Sequence, residues 1–308
     1  MSLALVFPGQ GSQSVGMLAG FDSGLQQVKE TFAVASGVLD FDLWELIQQG
    51  PEADLNDTRN TQPAMLAAGV ALWRLWQERG GPAPAFMAGH SLGEYTALVC
   101  AGALEFADAV ELVRDRGRYM QEAVVPGEGA MAAILGLEDS RVIRLCEQAG
   151  AGEVVAAVNF NSPGQVVVAG TAGAVRRAVD LAREEGARRA VLLPVSVPSH
   201  CSLMRQAARK LEERLAGVTI RTPGIPVVNN VDVRVESQPE AIRDALVRQL
   251  YNPVRWVDTI RLLAADGVER VVECGPGKVL AGLNRRIERS MTVCPVFDEE
   301  SLQNAIEG

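Results

Sequence analysis

The 308-residue chain carries 38 acidic and 29 basic side chains, a formal net charge of −9, and 48% hydrophobic residues. Such a composition supports a sizeable core in one large or two modest domains and excludes a disordered or collagen-like chain. The acidic balance and 5% aromatic content argue against a nucleic-acid or anionic-membrane binder.

Leu3–Phe7 reads as a buried strand entering the turn Pro8-Gly9-Gln10-Gly11. Helical spacing follows from Phe32 to Trp76, with breaks expected at Gly50-Pro51 and Gln62-Pro63, so that Ala64–Trp76 is the clear helix. Ala85–Ala88 is a short strand, Gly89–Gly93 a sharp turn, and a helix begins there. Glu105–Met120 is a second strong helix. The middle of the chain changes character. Ala130–Leu137, Glu153–Asn159, Gln165–Gly170 and Arg189–Val195 read as strands, with helices over Asp139–Ala149 and Ala172–Gly186. That order, β-α-β-β-α-β, is the ferredoxin-like pattern. Helices at Leu203–Leu215, Glu240–Leu250 and Val257–Ala265 and strands at Pro226–Asn229 and Val268–Cys274 complete the chain, with a further helix after Gly275-Pro276-Gly277-Lys278. The expected fold is an α/β body built from 1–123 and 197–308, with a small α+β unit inserted over 124–196.

The five cysteines (Cys100, Cys146, Cys201, Cys274, Cys294) are odd in number and contain no CxxC, so neither a disulfide framework nor a zinc motif is expected. With two histidines, a histidine-rich metal site is not expected either. Met1–Phe7 lacks the basic region of a signal peptide. Tyr95–Leu104, the most apolar stretch, is about half the length of a bilayer helix. A reducing cytoplasm is the expected compartment, with neither membrane nor nucleic acid as partner.

Gly89-His90-Ser91-Leu92-Gly93 fits G-x-S-x-G, in which a serine sits on a strained strand-to-helix turn and flanking glycines let neighbouring backbone pass. The competing reading is an ordinary βα turn. The Leu92 N–H would point at a reacting carbonyl oxygen. A serine hydroxyl needs a base. His90 adjoins Ser91 and normally points elsewhere, so His200 is the candidate. Its orienting partner stays open between several carboxylates and a backbone carbonyl. The Phe7–Gln13 turn can supply a second oxyanion donor. As a dinucleotide loop it lacks the third glycine, which is Ser14, and Gly275–Lys278 has the wrong spacing for a Walker A loop. Spacing alone favours an exposed helical role for Arg116, although an arginine just downstream of the elbow could fork onto a substrate carboxylate.

These residues together resemble the bacterial malonyl-CoA:acyl carrier protein transacylases of type II fatty acid synthesis. The matching segments are Phe7–Gln13, Gly89–Tyr95, Asp115–Gly117, Asn159–Gln165, Pro198–His200, Asn229–Val231, Gln249–Pro253 and Glu273–Gly277, in family order. The last twenty residues add nothing to the match. The resemblance implies a hydrolase-like parallel α/β subdomain plus a ferredoxin-like subdomain. It implies Ser91 as nucleophile, His200 as base, the Gln249 main-chain carbonyl as orienting group, and N–H groups of Gln10 and Leu92 as the oxyanion hole. Arg116 would pair with the malonyl carboxylate, and His90, Asn159, Asn161 and Ser199 become pocket candidates. Neither metal nor cofactor is implied; malonyl-CoA and the phosphopantetheine thiol of acyl carrier protein are substrates. A monomer is the default.

Carrier proteins are acidic, as this chain is, so docking requires a local basic patch. Candidates are Arg176/Arg177, Arg188/Arg189, Arg205/Arg209/Lys210 and Arg285/Arg286/Arg289. The remaining alternatives are a serine thioesterase or hydrolase with water as acceptor, a trans-acting acyltransferase serving a polyketide-type or polyunsaturated-lipid synthase, and a binding module without catalysis.

Overall fold

The computed structural model describes residues 2–21, 24–195 and 197–308. Met1 and Ser196, on which the expected signal-free N-terminus and one subdomain boundary fall, lie outside the described residues. The elements run β1 Ser2–Phe7, α1 Leu25–Leu39, α2 Leu43–Gln49, α3 Glu52–Leu55, α4 Thr58–Glu78, β2 Phe86–Gly89, α5 Leu92–Cys100, α6 Phe106–Glu122 and β3 Gly129–Leu135. They continue with α7 Asp139–Gly150, β4 Val155–Ser162, β5 Gln165–Thr171, α8 Ala172–Glu184, β6 Arg189–Leu192, a 3-10 turn at Ser202–Met204 and α9 Arg205–Ala216. The chain closes with β7 Val227–Val228, α10 Pro239–Gln249, α11 Trp256–Ala265, β8 Val268–Cys274, α12 Val279–Ile287, β9 Thr292–Val296 and α13 Glu299–Glu307.

The main sheet has the order β7-β2-β1-β8-β9, with every pairing parallel. Its middle strand, β1, explains the unbroken apolar run. Leu3, Leu5 and Phe7 enter the core under α1, α4 and α6, while Ala4 and Val6 face a second core with Trp256 and Ile260 of α11. A central parallel strand is buried on both faces, so alternation disappears. The second sheet is antiparallel, in the order β4-β5-β3-β6, with α7 and α8 over its own core of Ile134, Leu145, Val166, Val168 and Val179. A bridge between Asn159 and Val254 ties β4 to the segment before α11.

Two sequence expectations are corrected. Gln62-Pro63 does not break a helix, because α4 runs through it from Thr58. Proline keeps a helical φ and removes one intrahelical bond, to the carbonyl four residues back. Burial along the rest of this helix offsets that loss. The strand expected at 189–195 stops at Leu192. The last twenty residues, outside the matching motifs, hold β9, which completes the main sheet, and α13, which begins with an Asp298–Ser301 capping box.

The carboxyl ends of β1 and β2 meet at the elbow, and two glycines permit it. A β-carbon at Gly93 would lie 2.1 Å from the Phe7 carbonyl oxygen, and one at Gly89 1.8 Å from the Gly93 carbonyl carbon. Both obstacles are backbone and cannot rotate aside. Gly93→Ala should therefore lower the unfolding free energy by about 2–4 kcal/mol in urea titrations followed by circular dichroism. A loss under about 0.5 kcal/mol, the range of neutral surface changes, would refute this packing argument.

Candidate active site

Ser91 sits between β2 and α5 with φ 52° and ψ −107°. Its partner His200 also holds a positive φ, 64°. For residues with side chains each such conformation costs about 1–3 kcal/mol and persists where surrounding contacts enforce it. Those contacts are present. The Ser91 N–H donates to Asn230 Oδ1 at 2.7 Å, Asn230 Nδ2 donates to the Gly89 carbonyl at 2.7 Å, and the His200 N–H donates to the Leu250 carbonyl at 2.9 Å.

Ser91 Oγ lies 2.8 Å from His200 Nε2, and His200 Nδ1 lies 2.8 Å from the Gln249 carbonyl oxygen. The carbonyl can only accept, so Nδ1 carries the proton and Nε2 presents a lone pair to the serine hydroxyl. Of the partners the residues alone left open, the one at Nδ1 is the backbone carbonyl of Gln249, the group the resemblance implies. Burial, then the charge of Arg116, lower the His200 pKa to about 3, which keeps the imidazole neutral at physiological pH.

Arg116 is 1% exposed, which overturns the spacing-based expectation of a solvated arginine. The helical period carries the signal: Ala109, Val113, Arg116 and Met120 share the buried stripe of α6. Its Nη1 donates to Gln62 Oε1 at 2.8 Å, and its Nη2 to Gln249 Oε1 at 3.0 Å and Ser91 Oγ at 3.2 Å. Its guanidinium carbon lies 5.3 Å from the Tyr95 ring centre. Burial holds its pKa below the ordinary arginine value. Gln62 escaped the sequence reading because a helix break was expected there.

The remaining candidates fall into two groups. His90 turns away from Ser91, its Nε2 2.8 Å from Asn161 Oδ1 and its ring 5.6 Å from that of Trp256, so these residues pin the elbow to β4. Leu92 is the first residue of α5, where an N–H precedes any intrahelical acceptor. The turn bearing Gln10 packs on the elbow, since a β-carbon at Gly9 would lie 2.5 Å from the His90 carbonyl oxygen. The Gln10 side chain reaches Thr58 Oγ1 at 3.3 Å. Asn159 and Ser199 are not brought to Ser91 by any hydrogen bond among the described residues: Asn159 bridges Val254, and Ser199 Oγ faces the Val197 carbonyl at 3.5 Å. A cleft of about 260 Å³ between β4 and α11, lined by Phe160, Arg255 and Arg261 among others, contains none of Ser91, His200 and Arg116.

Glu94 and Asn230 stood inside quoted motifs without a role. Glu94 is 2% exposed, and its Oε2 accepts from the Asn230 N–H at 3.0 Å and Gln249 Nε2 at 2.8 Å. Burial pushes its pKa up to about 7 from an unperturbed 4.5. Among the described residues no cluster of His, Cys, Asp and Glu could hold a metal ion, and no helix is long and apolar enough to cross a membrane.

A raised folded-state pKa means that the unfolded chain releases the Glu94 proton first as pH rises. Stability from this group is therefore complete below about pH 4.5 and lost progressively towards pH 7. Glu94→Gln should melt higher than wild type at pH 8, with the gap closing by pH 5. Equal melting curves at both pH values would contradict the assignment.

Residues 4–299 match the family model for the acyl transferase domain. The chain is 58% identical to the malonyl CoA-acyl carrier protein transacylase of Escherichia coli over 99% of its own length and 98% of that protein's. It is 44% identical to the Bacillus subtilis protein of the same description, over 99% and 96% of the two lengths. Among solved structures, an acyl carrier protein S-malonyltransferase from Vibrio cholerae superposes with a TM-score of 0.96 at 56% identity, covering 99% of each chain. A malonyl-transacylase in complex with a type II PKS acyl-carrier protein superposes at 0.98 and 55% identity, covering 100% of this chain and 99% of that one.

Proposed function

The chain belongs to the malonyl CoA-acyl carrier protein transacylases of the acyl transferase domain family, and from that premise we propose how its residues carry the transfer. The enzyme moves a malonyl group from malonyl-CoA to the phosphopantetheine thiol of acyl carrier protein through a malonyl-Ser91 ester, supplying fatty acid elongation. His200 Nε2 takes the Ser91 proton as Oγ attacks the thioester carbonyl. The N–H groups of Leu92 and Gln10 receive the oxyanion; one such donor contributes about 3–4 kcal/mol of transition-state stabilisation. The intermediate collapses by breaking the C–S bond, and His200 returns the proton to the departing CoA sulfur. The carrier thiol then gives its proton to His200, attacks the ester, and restores the Ser91 hydroxyl. This is double displacement through a covalent intermediate.

Arg116 meets the free malonyl carboxylate. The observation that carries this reading is the Arg116 Nη2–Ser91 Oγ contact of 3.2 Å, which sets a buried cation beside the atom that becomes acylated. An acetyl group leaves that cation unanswered, so acetyl-CoA is the poorer donor. In this reading the two sheets and their separate cores define the subdomains, 1–123 with 197–308 and 124–196. The enzyme acts as a cytoplasmic monomer with neither metal nor bound cofactor.

Intact-protein mass spectrometry after brief mixing with malonyl-CoA should show a malonyl adduct. The adduct should be absent in Ser91→Ala, strongly reduced in Arg116→Ala, and discharged on adding phosphopantetheinylated carrier protein. An adduct decaying to malonate at the same rate without carrier would instead make the enzyme a hydrolase.

Two of the four basic clusters draw together. Leu135 of β3 pairs with both Gln165 and Arg189, and Arg286 Nη1 donates to Gln165 Oε1 at 3.0 Å, so 188–189 and 285–286 share one end of the small sheet. Arg177 and Lys210 of the other clusters are engaged with Glu153 and Glu122. The shared end is the proposed carrier-docking patch. Reversing charge at Arg189 and Arg286 together should raise KM for the carrier at least about five-fold and flatten its salt dependence, while KM for malonyl-CoA stays within about two-fold. An unchanged carrier KM would remove the patch from this role.

A further inference from the structure

Glu94 has no part in the transfer just described, yet its Oε2 is the point where the catalytic segments meet. One of its donors, Asn230, holds the elbow through Ser91 and Gly89. The other, Gln249, spends its second Nε2 hydrogen on the Ser91 carbonyl at 3.1 Å, turns Oε1 to Arg116 at 3.0 Å, and holds His200 through its main-chain oxygen. A glutamine amide can present either end to a neighbour. Here Oε2 of Glu94 accepts only, because two N–H groups already point at it. Nε2 must face Glu94, and the amide oxygen is left for the guanidinium.

We propose that Glu94 is a positioning residue for substrate selection: acting through Gln249, it turns the amide oxygen onto Arg116 and keeps the guanidinium aimed at the Ser91 hydroxyl, where the malonyl carboxylate is met. The inference rests on the reading of Arg116 as the carboxylate partner. Beside Glu94 lies a cavity of about 10 Å³ walled by Leu98, Val227, Ile242 and Ala245 with Asn229 and Glu236. Removing the Glu94 carboxylate alone would leave the buried Asn230 N–H and Gln249 Nε2 donors without an acceptor, at about 1–3 kcal/mol each. The rise of its pKa to about 7 expresses its desolvation.

The test is the ratio of kcat/KM for malonyl-CoA to that for acetyl-CoA, read as Ser91 acylation rates, with melting temperatures alongside. Glu94→Leu, which leaves the Asn230 and Gln249 donors unanswered, should melt below wild type and lose at least about ten-fold in this ratio. Glu94→Gln, whose amide oxygen the Asn230 N–H holds in the Oε2 position, should keep the ratio within about three-fold. The double variant Glu94→Leu/Gln249→Leu should lose no more than the worse single variant, because both act through one amide. A wild-type ratio in Glu94→Leu, multiplying losses in the double variant, or a collapsed ratio in Glu94→Gln would each overturn the proposal. If the leucine variant does not fold, Glu94→Ala takes its place, with the same ten-fold loss expected and a wild-type ratio overturning the proposal. Arg116→Leu is measured in parallel. If it keeps the wild-type ratio, the reading of Arg116 fails; if it loses the ratio while Glu94→Leu does not, only the role of Glu94 fails.

Discussion

Taking an arginine out of water costs several kcal/mol unless its N–H groups find acceptors, and Arg116 is 1% exposed at the side of the nucleophile. Its direct acceptors, Gln62, Gln249 and Ser91, are all uncharged. The Tyr95 ring face adds a further contact without satisfying an N–H. The cation is thus held in place without being cancelled by a direct ion pair, which suits a site that must receive an anionic acyl group. The same charge acts on the neighbouring imidazole. With burial, it keeps the His200 imidazole neutral.

Holding that arrangement requires segments far apart in sequence. The hydrogen bonds of Gln249 join α10 to the elbow and to Glu94 across 158 and 155 positions. The elbow is strained at Ser91, and the loop before α9 is strained at His200. Strain of this kind is stable only when the surrounding hydrogen bonds over-determine it. The parallel sheet supplies the frame, because β1 and β2 end side by side and α5 starts where they stop. The second sheet is joined through the Asn159–Val254 bridge and the His90–Asn161 contact. Those contacts make β4 a wall of the site rather than a detached module.

Much of this was legible in the sequence, for local reasons. Strand and helix periods, the glycine-serine-glycine turn and the β-α-β-β-α-β order are written in neighbouring residues. The errors came where a local cue met a tertiary override. Pro63 signals a helix end, yet α4 passes through it inside the core. Its misreading concealed Gln62, which binds Arg116. The closing twenty residues carry little motif, but β9 finds a ready edge on β8.

Residue type and spacing alone determined that a serine would stand on a strand-to-helix turn, that His200 rather than His90 was its candidate partner, and that an α/β frame would present both. These depend on chemistry within a few positions. Only the tertiary structure decided that Arg116 is buried at Ser91 with Gln62 and Gln249 as acceptors, and that Glu94 and Asn230 fasten the site. A side chain's charge is fixed by the sequence, but whether that charge faces water or a substrate depends on which helix face is covered. That was settled by the packing of α6 against α4 and of α10 against the elbow.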